Sequence, residues 1–114
     1  MKTITIRQEY LEMIREDKKS LEIRVGYPNI LLIGGGDHIL FMSGPDRHTI
    51  IVRDVRRYNT FDEMIEHEDF KRIIPGLSKE EVLKTLKQIY PPEKESLGVI
   101  VIEVQPVESQ EANI

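Results

Sequence analysis

The segment Val99-Ile100-Val101-Ile102-Glu103-Val104 limits the architecture more than any other stretch of the chain. It is apolar at odd and even positions alike, so it reads as a strand covered on both faces. Helices on one side and the interior of a barrel on the other meet that requirement. A chain of 114 residues buries about two-thirds of its unfolded surface around one core. One domain over residues 1–108 is therefore expected, with the polar, non-periodic stretch 109–114 as a flexible tail.

The other parts follow from periodicity. Lys2–Arg7 alternates with Ile4 and Ile6 on one face, a short strand, and Gln8–Asp17 carries Tyr10, Leu11, Met13 and Ile14 at helical spacing. Gly26-Tyr27-Pro28-Asn29 breaks the chain, and Ile30–Ile33 is too short to classify. Gly34-Gly35-Gly36-Asp37 leads into an apolar strand, His38–Ser43, rather than into a helix, so it reads as a turn and not as a phosphate cradle. Gly44-Pro45-Asp46-Arg47 turns into a long strand, His48–Tyr58, whose apolar residues change phase; a bulge is predicted near Arg53-Asp54. Thr60 with Glu63, and Ser78 with Glu81, spell capping boxes for two helices. A further helical piece is expected at Asp69–Ile74, and Val82, Leu83, Leu86, Ile89 and Tyr90 form the strongest helical stripe before Pro91-Pro92.

Chemically capable side chains concentrate at Lys19, Glu22 and Arg24. If residues 20–25 form a strand, Leu21, Ile23 and Val25 enter a core while Glu22 and Arg24 share the other face, with Lys19 leaning over them from the corner. One carboxylate then sits between two cations. The bland reading is a solvated ion pair worth about 0–1 kcal/mol.

The spacing Lys19-x-x-Glu22-x-Arg24 after a short helix resembles the signature of the ASCH family (activating signal cointegrator homology), Gly-x-Lys-x-x-Glu-x-Arg, with Asp17 standing in place of the glycine. The resemblance extends in order through Gly36-Asp37, Tyr58-Asn59-Thr60-Phe61, Ile89-Tyr90-Pro91 and Gly98–Ile102. It implies an α+β fold, a small PUA-like mixed β-barrel of about five or six strands with helices covering one opening. It also implies a cleft for RNA or a nucleoside or nucleotide. In that cleft Lys19 and Arg24 would meet a phosphate or carbonyl, Glu22 would accept from an amine, and Tyr58, Asn59 or Tyr90 would stack on or hydrogen-bond a base.

Two alternatives stay open. One branch of the family resembles an N4-acetylcytidine amidohydrolase, and ribonuclease activity has been proposed for members; Lys19 and Glu22 would be the catalytic candidates here. Glu22 stands where that branch has threonine, and an adjacent carboxylate raises a lysine pKa when a lysine base needs it lowered. The other alternative is a protein-interaction adaptor.

Charge and composition bound these readings. The net charge is -4, which opposes a general polyanion surface, yet residues 1–61 hold ten Lys/Arg against eight Asp/Glu while residues 62–114 hold six against twelve. A local anion site in the first half is compatible with that distribution. The chain has no cysteine, and His38, His48 and His67 have no partners at ligand spacing, so neither a metal nor a cofactor is expected. No apolar run approaches a membrane span and the N-terminal residues lack a secretory pattern; a cytoplasmic location is the expectation.

Overall fold

The computed structural model describes residues 1–107; the expected tail at 109–114 lies outside the described residues. In chain order the elements are β1 (Lys2–Thr5), α1 (Gln8–Arg15), β2 (Leu21–Val25), α2 (Pro28–Leu31), β3 (His38–Ser43), β4 (Asp46–Tyr58), α3 (Phe61–His67), a 3-10 turn (Phe70–Arg72), α4 (Lys79–Ile89), α5 (Pro92–Glu95) and β5 (Val99–Pro106). The five strands form one sheet in the order β1-β3-β4-β5-β2, curled into a half-barrel. β1 runs parallel to β3 and the other pairs are antiparallel. β1 and β2 are thus the two edges, and the seam between them is where the barrel stays open.

β5 fulfils the two-sided expectation. Ile100, Ile102 and Val104 join the inner cluster with Ile4, Phe41 and Val52, whereas Val99 and Val101 pack outward with Phe61, Met64 and Val82 of the helices. Burial on both faces contributes about 1.5–3 kcal/mol per large apolar side chain. β2 follows the same logic: Leu21, Ile23 and Val25 belong to the outer, helix-covered cluster. The bulge in β4 lies where the phase change placed it, with a register shift against β5 between Val52 and Asp54.

One stretch too short to classify by sequence takes a definite form, and two local expectations needed correction. Residues 28–31 form one helical turn, for which the fixed φ of Pro28 suits the first position. The helix expected at Asp69–Ile74 shrinks to a 3-10 turn, capped by the Asp69 carboxylate accepting from the Lys71 amide at 3.0 Å. Ser78 and Glu81 form the full capping box, but at α3 only the Thr60 half is present, and the Glu95 carboxylate accepts from the Phe61 amide at 2.8 Å.

Asp17 has a φ of 61°. Left-handed backbone of this kind favours glycine, and aspartate is among the few other residues that tolerate it. That explains why the ASCH-like pattern has glycine here: the turn out of α1 must reverse sharply so that the Lys18 and Lys19 amides both reach the Met13 carbonyl, at 2.8 and 3.0 Å. Asp17→Val is expected to cost about 1–2 kcal/mol, read as a lower urea midpoint, while Asp17→Gly keeps the fold.

Candidate functional site

Glu22 and Arg24 stand opposite Ile102 and Ile100 of β5. Directly opposed residues of an antiparallel pair share a face, so both side chains lie on the concave side, at the mouth of an otherwise apolar interior. Lys19 arrives from the α1–β2 turn. Its ammonium donates to the Leu21 carbonyl at 2.8 Å and the Ile73 carbonyl at 2.6 Å, and lies 3.1 Å from Glu22 Oε1. All three ammonium protons therefore have acceptors within the protein.

Glu22 Oε2 accepts from Arg24 Nε at 2.7 Å and lies 2.7 Å from Nη2. Nη2 also donates to the Thr5 carbonyl at 3.0 Å, which ties the β2 edge to the end of β1 across the seam. The side chains of Lys19 and Glu22 are 3% and 8% exposed, that of Arg24 21%. This is no solvated ion pair. The bland reading fails because neighbours on both sides of the seam, Thr5 and Ile73 among them, enclose the three side chains.

Burial pushes the Glu22 carboxyl up, but Lys19 and Arg24 more than offset it and hold the group below its ordinary range. Burial draws the Lys19 ammonium below its ordinary range against the opposing pull of Glu22. Arg24 is also penalised by burial, and Glu22 overcomes that and raises it. The cluster is an ionised carboxylate clamped by a sequestered ammonium behind and a partly accessible guanidinium in front.

A recess of about 290 Å³ opens over this cluster, lined by Lys19, Glu22, Arg24 and Tyr90 among others. The remaining walls come from sites that periodicity assigned to packing or left unremarked. Thr5, Ile6 and Arg7 form the β1 side, Tyr10 of α1 contributes a ring 5.4 Å from Lys19 Nζ, and Leu86 and Ile89 of α4 form an apolar lip. The Arg7 side chain is exposed, and its guanidinium makes no hydrogen bond or ion pair with any described residue. The lining holds three cations and one carboxylate, so the recess is electropositive within an acidic chain.

Tyr58 and Asn59 are not among the residues lining the recess. Tyr58 pairs with Val99, which belongs to the helix-covered layer, so it points to the opposite side of the sheet. Its hydroxyl donates to Glu68 at 2.5 Å and its ring stacks on His67, with centroids 5.8 Å apart. Arg56, on the same strand, is engaged by Glu68 and Glu103 at 2.8 Å each. Among the described residues no group of three His, Asp or Glu side chains is placed to hold a metal, and no helix is long and apolar enough to cross a membrane.

The ASCH domain family model matches residues 4–108, a span that runs from β1 to the end of β5. The chain belongs to the ASCH domain family. ASCH domains are generally associated with RNA binding. Two solved structures resemble this ASCH domain over nearly its whole length. The crystal structure of hypothetical protein PH0355 is 35% identical with a TM-score of 0.85, covering 94% of this chain and 100% of that one. The solution NMR structure of protein PF0455 from Pyrococcus furiosus is 34% identical with a TM-score of 0.76, covering 95% of this chain and 98% of that one. No curated protein matches the chain.

Proposed function

We propose that the recess is a nucleobase site and that this ASCH domain binds single-stranded RNA or a nucleotide through it. The observation that carries the reading is the recess itself: a concavity of about 290 Å³ whose floor is a buried, ionised Glu22–Arg24 pair and whose walls include Tyr10 and Tyr90. Apolar and aromatic walls with a few fixed polar groups suit a planar ring, and each stacked base contributes about 1–3 kcal/mol. Arg24 spends Nε and Nη2 on Glu22 and Thr5, and the Tyr90 hydroxyl lies beside its guanidinium, so Nη1 and that hydroxyl are offered to a ligand together. Arg7, exposed at the rim, meets the phosphate.

Lys19 has a supporting part in this reading. Its protons are taken by Leu21, Ile73 and Glu22, so it orients Glu22 and does not touch the ligand. The same saturation gives no support to Lys19 as the base of an N4-acetylcytidine amidohydrolase.

Fluorescence titration of the protein with short single-stranded RNAs and with free nucleotides tests the proposal. Saturable binding is expected, weakened at least about tenfold by Arg24→Ala, which is about 1.4 kcal/mol. With one principal phosphate contact, the affinity falls with salt at a logarithmic slope of only about -0.7. A lack of saturable binding to all of these ligands at low salt would overturn the reading.

A further inference from the structure

The β2 edge carries one hydrogen-bonding unit that the protein does not use. In an antiparallel pair, residues that exchange backbone hydrogen bonds with the partner alternate with residues whose N–H and C=O point the other way. The Ser20 carbonyl accepts from the Val104 amide at 2.9 Å and the Gly26 amide donates to the Gly98 carbonyl at 3.0 Å. With the register of the pair, this makes Glu22 and Arg24 the residues bonded to β5. Leu21, Ile23 and Val25 therefore present their backbone groups at the free edge.

Two of the three acceptors on that edge are already occupied. The Leu21 carbonyl receives Lys19 Nζ at 2.8 Å, and the Val25 carbonyl receives the Tyr27 amide at 2.7 Å. Among the described residues the N–H and C=O of Ile23 have no partner, and Ile23 lines the recess. An open edge is ordinarily a template for another strand. Here the carbonyls two residues to either side are already taken, and Arg24 spans the seam to Thr5. What the edge accepts is one planar group with a donor and an acceptor side by side.

We propose that the Ile23 peptide reads the hydrogen-bonding edge of the bound base, and that the base is of the imide type, a ring N–H flanked by carbonyls, as in uracil. This rests on the nucleobase reading above. The ring N–H donates to the Ile23 carbonyl, and one flanking carbonyl accepts from the Ile23 amide. The second carbonyl accepts from the guanidinium of Arg24, whose Nη1 donors are not spent on Glu22 or Thr5. A base with an exocyclic amine in that place, such as cytosine, would set donors against a cation.

The test is an NMR titration of the ¹⁵N-labelled protein with uridine, N3-methyluridine and cytidine 5′-monophosphates. N3 methylation removes the donor and puts a methyl group against the Ile23 carbonyl. Uridine monophosphate is expected to move the Ile23 amide proton downfield and slow its exchange, with affinity at least about tenfold above that of the other two. If recess resonances such as Tyr10 and Tyr90 shift while the Ile23 amide does not, or if N3-methyluridine or cytidine monophosphate binds as tightly, the edge inference falls and the nucleobase site stands. If none of the three, nor oligouridylate, perturbs the recess, both fall together.

Discussion

Glu22→Gln is expected to destabilise the domain by about 3–5 kcal/mol, the usual cost of removing one partner from a buried charge pair. The amide keeps the shape and an acceptor oxygen, so the loss comes from charge. Lys19, 3% exposed, and Arg24 would then lie on one side of the sheet with no carboxylate between them. A loss of that size is a large share of the about 5–15 kcal/mol that typically separates folded from unfolded domains. The pH dependence identifies the cause. The folded-state pKa of Glu22 is held below the unfolded value, so its contribution is present above the unfolded pKa and is lost as pH falls through the folded one. The variant lacks that acid-labile contribution. The folded-state pKa of Lys19 is also lowered, and a lysine lowered on folding binds fewer protons in the native state, so stability rises with pH between its folded and unfolded values. Glu22 opposes that shift in the parent protein. Without it the folded-state pKa of Lys19 falls further, so the window widens downward and the variant gains more stability than the parent as pH rises through it. Urea unfolding across that range measures both effects, and a variant matching the parent at neutral pH would show that the pair carries no structural weight.

The parts of this architecture that are legible in the sequence are those set by local period. The alternation of β2 fixes which of its side chains face the helices, the two-sided β5 requires both layers, and the phase change in β4 locates its bulge. Lys19, Glu22 and Arg24 are legible as a group because one turn and one strand bring them together. The other half of the site is assembled by closure of the sheet, which no local pattern encodes. Arg7 and Thr5 reach the recess only because β1 ends across the seam from β2, and the Ile73 carbonyl only because the 3-10 turn stops one residue short of it. Tyr10 is hidden in an ordinary helical stripe, where a core residue and a pocket wall look alike. Tyr58 illustrates the converse. The family resemblance implies a cleft residue there, yet pairing with Val99 commits it to the helix-covered face and to Glu68.

The triple variant Lys19→Met, Glu22→Leu, Arg24→Met is expected to be more stable than Glu22→Gln and to bind no nucleotide. Replacing a whole buried ionic cluster with apolar residues of similar volume is often neutral or stabilising by about 1–4 kcal/mol, because no charge remains to be desolvated. The gain is limited here. The Leu21 and Ile73 carbonyls lose the donor that Lys19 supplies, and each acceptor left without a partner costs about 1–3 kcal/mol. Stability within about 3 kcal/mol of the parent follows from these opposing terms. The β1–β2 seam also loses the tie from Arg24 to Thr5, so added exchange of amides near Thr5 is expected while the β4–β5 pairing stays protected. Binding should fall by at least about a hundredfold, or 2.7 kcal/mol and more, since the floor of the recess no longer offers a guanidinium or a carboxylate. Cooperative unfolding with abolished binding would mean that the charged cluster is retained for its ligand and not for the fold. A triple variant that binds like the parent would remove the cluster from the ligand site altogether, and one that fails to fold would assign it to the architecture instead.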